Sequence, residues 1–199
     1  MKANAWIAGL CLVGAWAGAG GLAAQAAGSD LDALLAAPGK AGPRVDVDGR
    51  PLLPESLRDR LAVVSFVSAD CTILCVTRTM DLDALARDLP APLRGRVVFL
   101  AIGMDPAGDD AARLRGVVKQ LLGPAPQVRV LPSDAAGAKA VAAALRYPAS
   151  SLPEPPPAIL LFDRRGQSAM VYGGDPLDAP RLRRDLVALD AFAEGLDRP

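Results

Sequence analysis

Three stretches of this chain are too continuously apolar to be surface strands: Leu61 to Val67 (LAVVSFV), Arg96 to Ile102 (RVVFLAI) and Ala158 to Phe162 (AILLF). Runs of this length, rich in β-branched residues and almost free of charge, mark strands covered on both faces. Between them the period becomes helical. Thr72 to Leu89 places Ile73, Val76, Met80, Leu82, Leu85 and Leu89 on or near one face. Asp109 to Leu122 is amphipathic and ends at Gly123-Pro124, and Ala135 to Leu145 is alanine-rich. Buried strands separated by helices leave few architectures open, chiefly an α/β sheet with helices on both faces.

The remaining elements complete that plan. Ser29 to Ala37 reads as a short helix with a Ser or Asp cap, stopped by Pro38-Gly39. Arg44 to Gly49 alternates and turns at Asp48-Gly49, predicting an N-terminal hairpin. Pro54 to Leu57 reads as one helical turn, Val128 to Leu131 as a short strand, and Pro180 to Glu194 as a terminal helix. The turn Asp163-Arg164-Arg165-Gly166 leads into Ser168 to Tyr172, a hairpin partner for the last apolar strand. The proline-rich stretch Ser150–Pro157 is the one notable linker.

The first 26 residues differ in kind. Lys2 is the only charge before Asp30, Ile7 to Ala24 is apolar, and Ala24-Gln25-Ala26 supplies a small-x-small cleavage site. This is the pattern of a secretory signal peptide, with an uncleaved membrane anchor through residues 5–24 as the other reading. Leu10 stands before Cys11 where a lipid-attachment signal needs a small residue, so Cys11 is not read as lipidated. Residues 27–199 then form one domain with 21 basic and 22 acidic residues and two cysteines. That balance carries no footprint for nucleic acid. A periplasmic or otherwise exported location exposes the cysteines to oxidants and metals.

Those two, Cys71 and Cys75, stand where the first apolar run hands over to its helix. In open α/β sheets ligands and chemistry collect at such strand ends. Residues at i and i+4 share a helix face, and a disulfide between them needs the first to be slightly unwound. Helix N-terminal N–H groups favour a thiolate. Cys71 is therefore expected to be the reactive sulfur and Cys75 the resolving one, with a static disulfide clamping the helix start as the competing reading. Met104, after the second strand, is a possible thioether ligand, whereas Met80 is read as core. Asp105 reads as a turn or cap residue, and Asp70 is assigned no catalytic role.

At this point the motifs acquire a family. Gly49-Arg50-Pro51, VVSFVSADCTILC, VVFLAIGMDP and AILLFDRRGQ resemble the Sco/SenC family in order and spacing, over about Arg44 to Tyr172. The resemblance implies a thioredoxin-like fold in an exported or membrane-anchored protein. It also implies copper binding, and a role in assembling the copper centre of cytochrome c oxidase or in reducing its thiols. The expected partner is a cytochrome c oxidase subunit or another thiol or copper protein. Thioredoxin-like folds keep a cis-proline facing the cysteines directly before the corresponding strand, and Pro157 occupies that place here.

Two departures change the expected chemistry. Thr72 and Val76 stand where family members have proline after each cysteine. The family's third copper ligand is a histidine that would fall around Tyr147 to Pro157, and this chain contains no histidine. Two thiolates suffice for the soft Cu(I) ion, whereas Cu(II) normally needs nitrogen donors as well. A four-ligand zinc set does not exist in the chain. The expected function is thus Cu(I) delivery or thiol–disulfide reduction through Cys71 and Cys75. The alternatives are a general periplasmic thiol–disulfide oxidoreductase without copper and a non-catalytic binding module with a locked disulfide.

Overall fold

In the computed structural model, which describes residues 29–36, 43–105, 107, 110–173 and 176–196, the first apolar run is strand β1, Leu61–Val67, and all its residues are buried. β2 (Val97–Gly103) lies parallel to it, from Leu61 opposite Val97 to Val67 opposite Gly103. β3 (Val128–Leu131) is parallel to β2. On the other side of β1, β4 (Ala158–Phe162) is antiparallel, and β5 (Ser168–Gly173) is antiparallel to β4. The sheet is mixed, in the order β3-β2-β1-β4-β5.

Period-two alternation splits the core into two layers. Leu61, Val63 and Val67 face a cluster that includes Cys75, Leu82 and Leu85 of α2 (Ile73–Arg87), Leu114 of α4 (Ala111–Leu122) and Leu182 of α6 (Ala179–Leu196). Ala62, Val64 and Phe66 face a second cluster, with Leu31 and Leu34 of α1 (Asp30–Leu35) and Val141 of α5 (Ala135–Ala144). A short helix, α3 (Ala91–Arg94), links α2 to β2. Both layers rest on aliphatic side chains, each contributing roughly 1.5–3 kcal/mol on full burial.

The helix ends follow from their capping residues. Ser29 and Asp32 form a capping box on α1, while Asp110 and Asp134 accept from Arg113 N and Gly137 N at the starts of α4 and α5. α1 is also pinned to the β4–β5 turn, where Leu31 N donates to Gly166 O at 2.9 Å. Gly166 has φ +73°, and a Cβ there would lie 2.5 Å from Ser29 Oγ, so the turn needs glycine on both counts.

The expected N-terminal hairpin is present as a short one: Val45 and Pro51 form an antiparallel bridge, Asp46 N donates to Arg50 O at 3.0 Å and Leu52 N to Arg44 O at 2.7 Å. Asp46 secures its turn, accepting from Asp48 N, Arg50 N and the Arg129 guanidinium. One expectation is corrected here. Met80 is not core: it is 46% exposed, and Ile73 is 75% exposed. At 100° per residue, the buried stripe through Cys75, Arg78, Leu82 and Ala86 leaves Ile73, Thr77 and Met80 on the opposite side of α2. Residues 1–26, with their expected signal peptide or anchor, lie outside the described residues, as does the Pro38-Gly39 stop. Among the described residues no helix is long and apolar enough to cross a membrane.

Candidate functional site

Strand β1 ends at Val67, and Ser68, Ala69 and Asp70 turn the chain before α2 begins at Ile73. Cys71 N donates to Ser68 O at 3.2 Å, and Asp70 N donates to Ser68 Oγ at 3.2 Å. These bonds hold Cys71 outside the helix, one residue before the N-cap Thr72, while Cys75 occupies the first turn. With Cα atoms 5.5 Å apart the two cysteines form a disulfide, a separation inside the ordinary range.

The two sulfurs sit in different surroundings. Cys75 is 4% exposed and belongs to the core cluster, whereas Cys71 is half-buried and packs against its edge. Ser68 N donates to Cys71 Sγ at 3.1 Å, a contact that can stabilise negative charge on that sulfur when the S–S bond opens. The Thr72 side chain makes no capping bond, so it does not compete for the N–H groups of the first turn. Cys75 Sγ lies 3.9 Å from Phe66 O, an acceptor for its thiol in the reduced form. Thr79 Oγ1 donates to Cys75 O at 2.9 Å and ties down the following turn.

The other expected site residues divide. Pro157 lies at the right end of the sheet, because the antiparallel pairing of β4 with β1 brings the start of β4 beside the end of β1. It lines a groove of about 500 Å³ with Leu145, Tyr147 and Pro156. Its peptide bond is not the cis one, however; that bond is Leu152–Pro153. Pro157 instead centres a tight turn closed by Ala158 N donating to Pro156 O at 2.8 Å, a geometry that proline's fixed φ suits. Met104 is fully buried in the second cluster, with Phe66, Ile102 and Leu131, whereas Cys75 belongs to the first. The structure assigns Met104 to packing rather than to a ligand set. Asp105 accepts from Ala107 N at 3.0 Å, the turn role expected of it. Among the described residues no three His, Cys, Asp or Glu side chains converge on one point.

Sequence reading missed three features. Arg113 of α4 pairs with Asp70 at 2.6 Å, offsetting the acidic charge beside Cys71. Arg78 is 2% exposed at i+3 from Cys75 on the buried stripe. Its i+3 spacing from Cys75 is a sequence signal that goes unused when only apolar positions are counted. Ile73 and Leu74, between the cysteines, are 75% and 52% exposed.

No protein-family profile matches the chain, and no curated protein does. Solved structures do. Bradyrhizobium japonicum ScoI with copper bound superposes with a TM-score of 0.58 at 20% identity, covering 74% of this chain and 98% of that one. The thioredoxin-like fold is that of Sco proteins. BsSco, a member of the Sco family of cytochrome c oxidase assembly proteins in which a disulfide switch was identified, gives a TM-score of 0.58 at 15% identity over 74% of this chain and 90% of that one. MTB dsbF, in mixed oxidised and reduced forms, gives 0.54 at 20% identity over 79% and 97%. The Sco-like fold accounts for the mixed five-stranded sheet.

Proposed function

We propose that this chain is an exported Sco-type protein whose Cys71 and Cys75 cycle between a disulfide and two thiols. The observation that carries the reading is the disulfide between half-buried Cys71 and buried Cys75 at the start of α2. In the reduced form, the Cys71 thiolate attacks one sulfur of a partner's disulfide, and the other partner sulfur leaves as a thiolate. Cys75, deprotonated, then attacks Cys71 Sγ and releases the second partner sulfur. The partner gains two electrons and two thiols, and Cys71–Cys75 is oxidised to the disulfide. A merely structural staple is disfavoured, because closing so short a ring removes little chain entropy and one sulfur stays accessible.

The reduced pair also supplies two soft donors suited to Cu(I) as cargo. Copper bound to ScoI, which shares the fold, supports this reading. A nitrogen-rich Cu(II) site does not fit a chain without histidine. The partner proposed is a copper-site subunit of cytochrome c oxidase or another thiol or copper protein, met in the periplasm or at the outer surface of the membrane. The absent histidine favours one second reading, a thiol–disulfide oxidoreductase that handles no copper.

An anaerobic Cu(I) titration of the reduced full chain, beside Cys71→Ser/Cys75→Ser, separates the two. One-to-one binding lost in the double variant supports Cu(I) handling. No binding, with rapid exchange against dithiothreitol, leaves the oxidoreductase. A wild-type disulfide that resists dithiothreitol overturns both.

A further inference from the structure

The residues between the cysteines are unlike a solvated helix start. From Cys71 to Thr77 the sequence CTILCVT carries no charge. Ile73 and Leu74 stand 75% and 52% exposed on the first turn of α2. A helix start in water gains nothing from two exposed branched aliphatics, and acidic side chains are the favourable choice there. The acidic residue before Cys71, Asp70, is already paired with Arg113, so its charge does little to select what approaches.

Resting on the exchange reading above, we infer that Ile73 and Leu74 are specificity-determining residues that select partner thiols flanked by uncharged, apolar residues. Displacement at a disulfide is in line. Cys75 Sγ lies on the core side, so a thiolate attacking Cys71 Sγ arrives from the solvent side. The chain carrying that thiolate must then cross the tip of α2. Ile73 and Leu74 follow Cys71 by two and three residues, at most about 8 and 11 Å of backbone away. Residues next to the partner cysteine, spaced about 3.3 Å apart in extended chain, fall within that reach. Their apolar side chains bury Ile73 and Leu74 in the mixed disulfide, and polar ones do not. The occupant is therefore a segment of another protein held by the exchange itself.

The test uses the oxidised full chain and two five-residue peptides, one with leucines and one with serines on both sides of a single cysteine. Both flanks are uncharged, so thiol ionisation is matched. The peptide thiolate bonds to Cys71 Sγ, the Cys71–Cys75 bond breaks, and Cys75 leaves as a thiolate. A second peptide thiolate then displaces Cys71 and yields the peptide disulfide. The leucine peptide is expected to react about tenfold faster, the scale of burying part of an isoleucine side chain. In Ile73→Ser/Leu74→Ser the ratio falls towards one. In Val187→Ser, which alters an exposed aliphatic on α6, it stays high. A ratio near one in the wild type, or a ratio that survives the double substitution, overturns the inference while dithiothreitol reactivity leaves the exchange reading standing. So does a wild-type dimer whose dissociation raises the rate, since a second copy then covers the tip. Failure to react even with dithiothreitol removes both.

Discussion

The carboxylate of Asp70, the residue before Cys71, is bound to the guanidinium of Arg113 on α4 at 2.6 Å. Both side chains are largely exposed, 68% and 44%, so the pair adds at most about 1 kcal/mol to stability. Its effect falls on approach: an incoming thiolate is an anion, and Arg113 offsets the acidic charge at the entrance. Arg113→Ala is expected to leave the urea midpoint nearly unchanged and to slow reaction with a small anionic thiol several-fold at low salt. Near 1 M salt, where screening acts over about 3 Å, the difference disappears. Stopped-flow rates at two ionic strengths check this.

Unequal exposure of the two sulfurs predicts an order of modification. In the reduced chain a limiting amount of iodoacetamide should label Cys71 well before Cys75, which is 4% exposed, as read by peptide mass spectrometry. Reduction should leave the protein folded. The cysteines are four apart in sequence, and a ring that short contributes about 2 kcal/mol in the chain-entropy account. Equal labelling rates would contradict the assignment of Cys71 as the sulfur that meets partners.

Asp83 secures the helix that carries Cys75. Its carboxylate is 5% exposed, accepts from Gln127 N and Val128 N, and pairs with Arg87 at 2.7 Å. It thus bolts α2 to the start of β3. Asp83→Ala leaves those donors without their acceptor and is expected to cost about 3 kcal/mol. Urea denaturation measures it, with Asp81→Ala on the same helix as the control.

Asp46 predicts an acid limb. Burial pushes its carboxyl upward, but the Arg50 backbone N–H, the Arg129 side chain and the two guanidinium charges outweigh it, leaving the carboxyl below its usual value. A carboxyl depressed in the folded state contributes stability that is present above its unfolded value, near pH 4, and is lost as pH falls through the folded one. Wild-type stability should therefore decline below about pH 4, and Asp46→Asn should flatten that part of the curve. Denaturation midpoints between pH 2 and pH 7 provide the comparison.

Much of this was legible before any coordinates. β1, β3 and β4 match the expected strands Leu61–Val67, Val128–Leu131 and Ala158–Phe162 residue for residue. Ser29 caps α1 as its residue type suggests. Such features depend on neighbours within a few positions, and local chemistry encodes them. The hairpin at 44–51 was legible from its alternation and its Asp48-Gly49 turn, but not what anchors it to the sheet, because alternation reports only that side chains face two ways. Asp46 reaches Arg129, 83 residues away, and that bond shapes the segment.

The α2 stripe shows the same limit from another side. Apolar residues lie all round its first two turns, and sequence alone does not tell which of them meets the sheet. Packing chose Cys75 and Leu82 and left Ile73 and Met80 outside. Tertiary structure likewise put Met104 into a different core layer from Cys75 and gave Asp70 its partner on α4. The sequence by itself determined that two thiols would stand at a strand-to-helix junction, because strand burial and helix periodicity are local. Only the fold decided which sulfur faces water and what lies beside it, because burial is settled by the elements packed around a residue rather than by its neighbours in the chain.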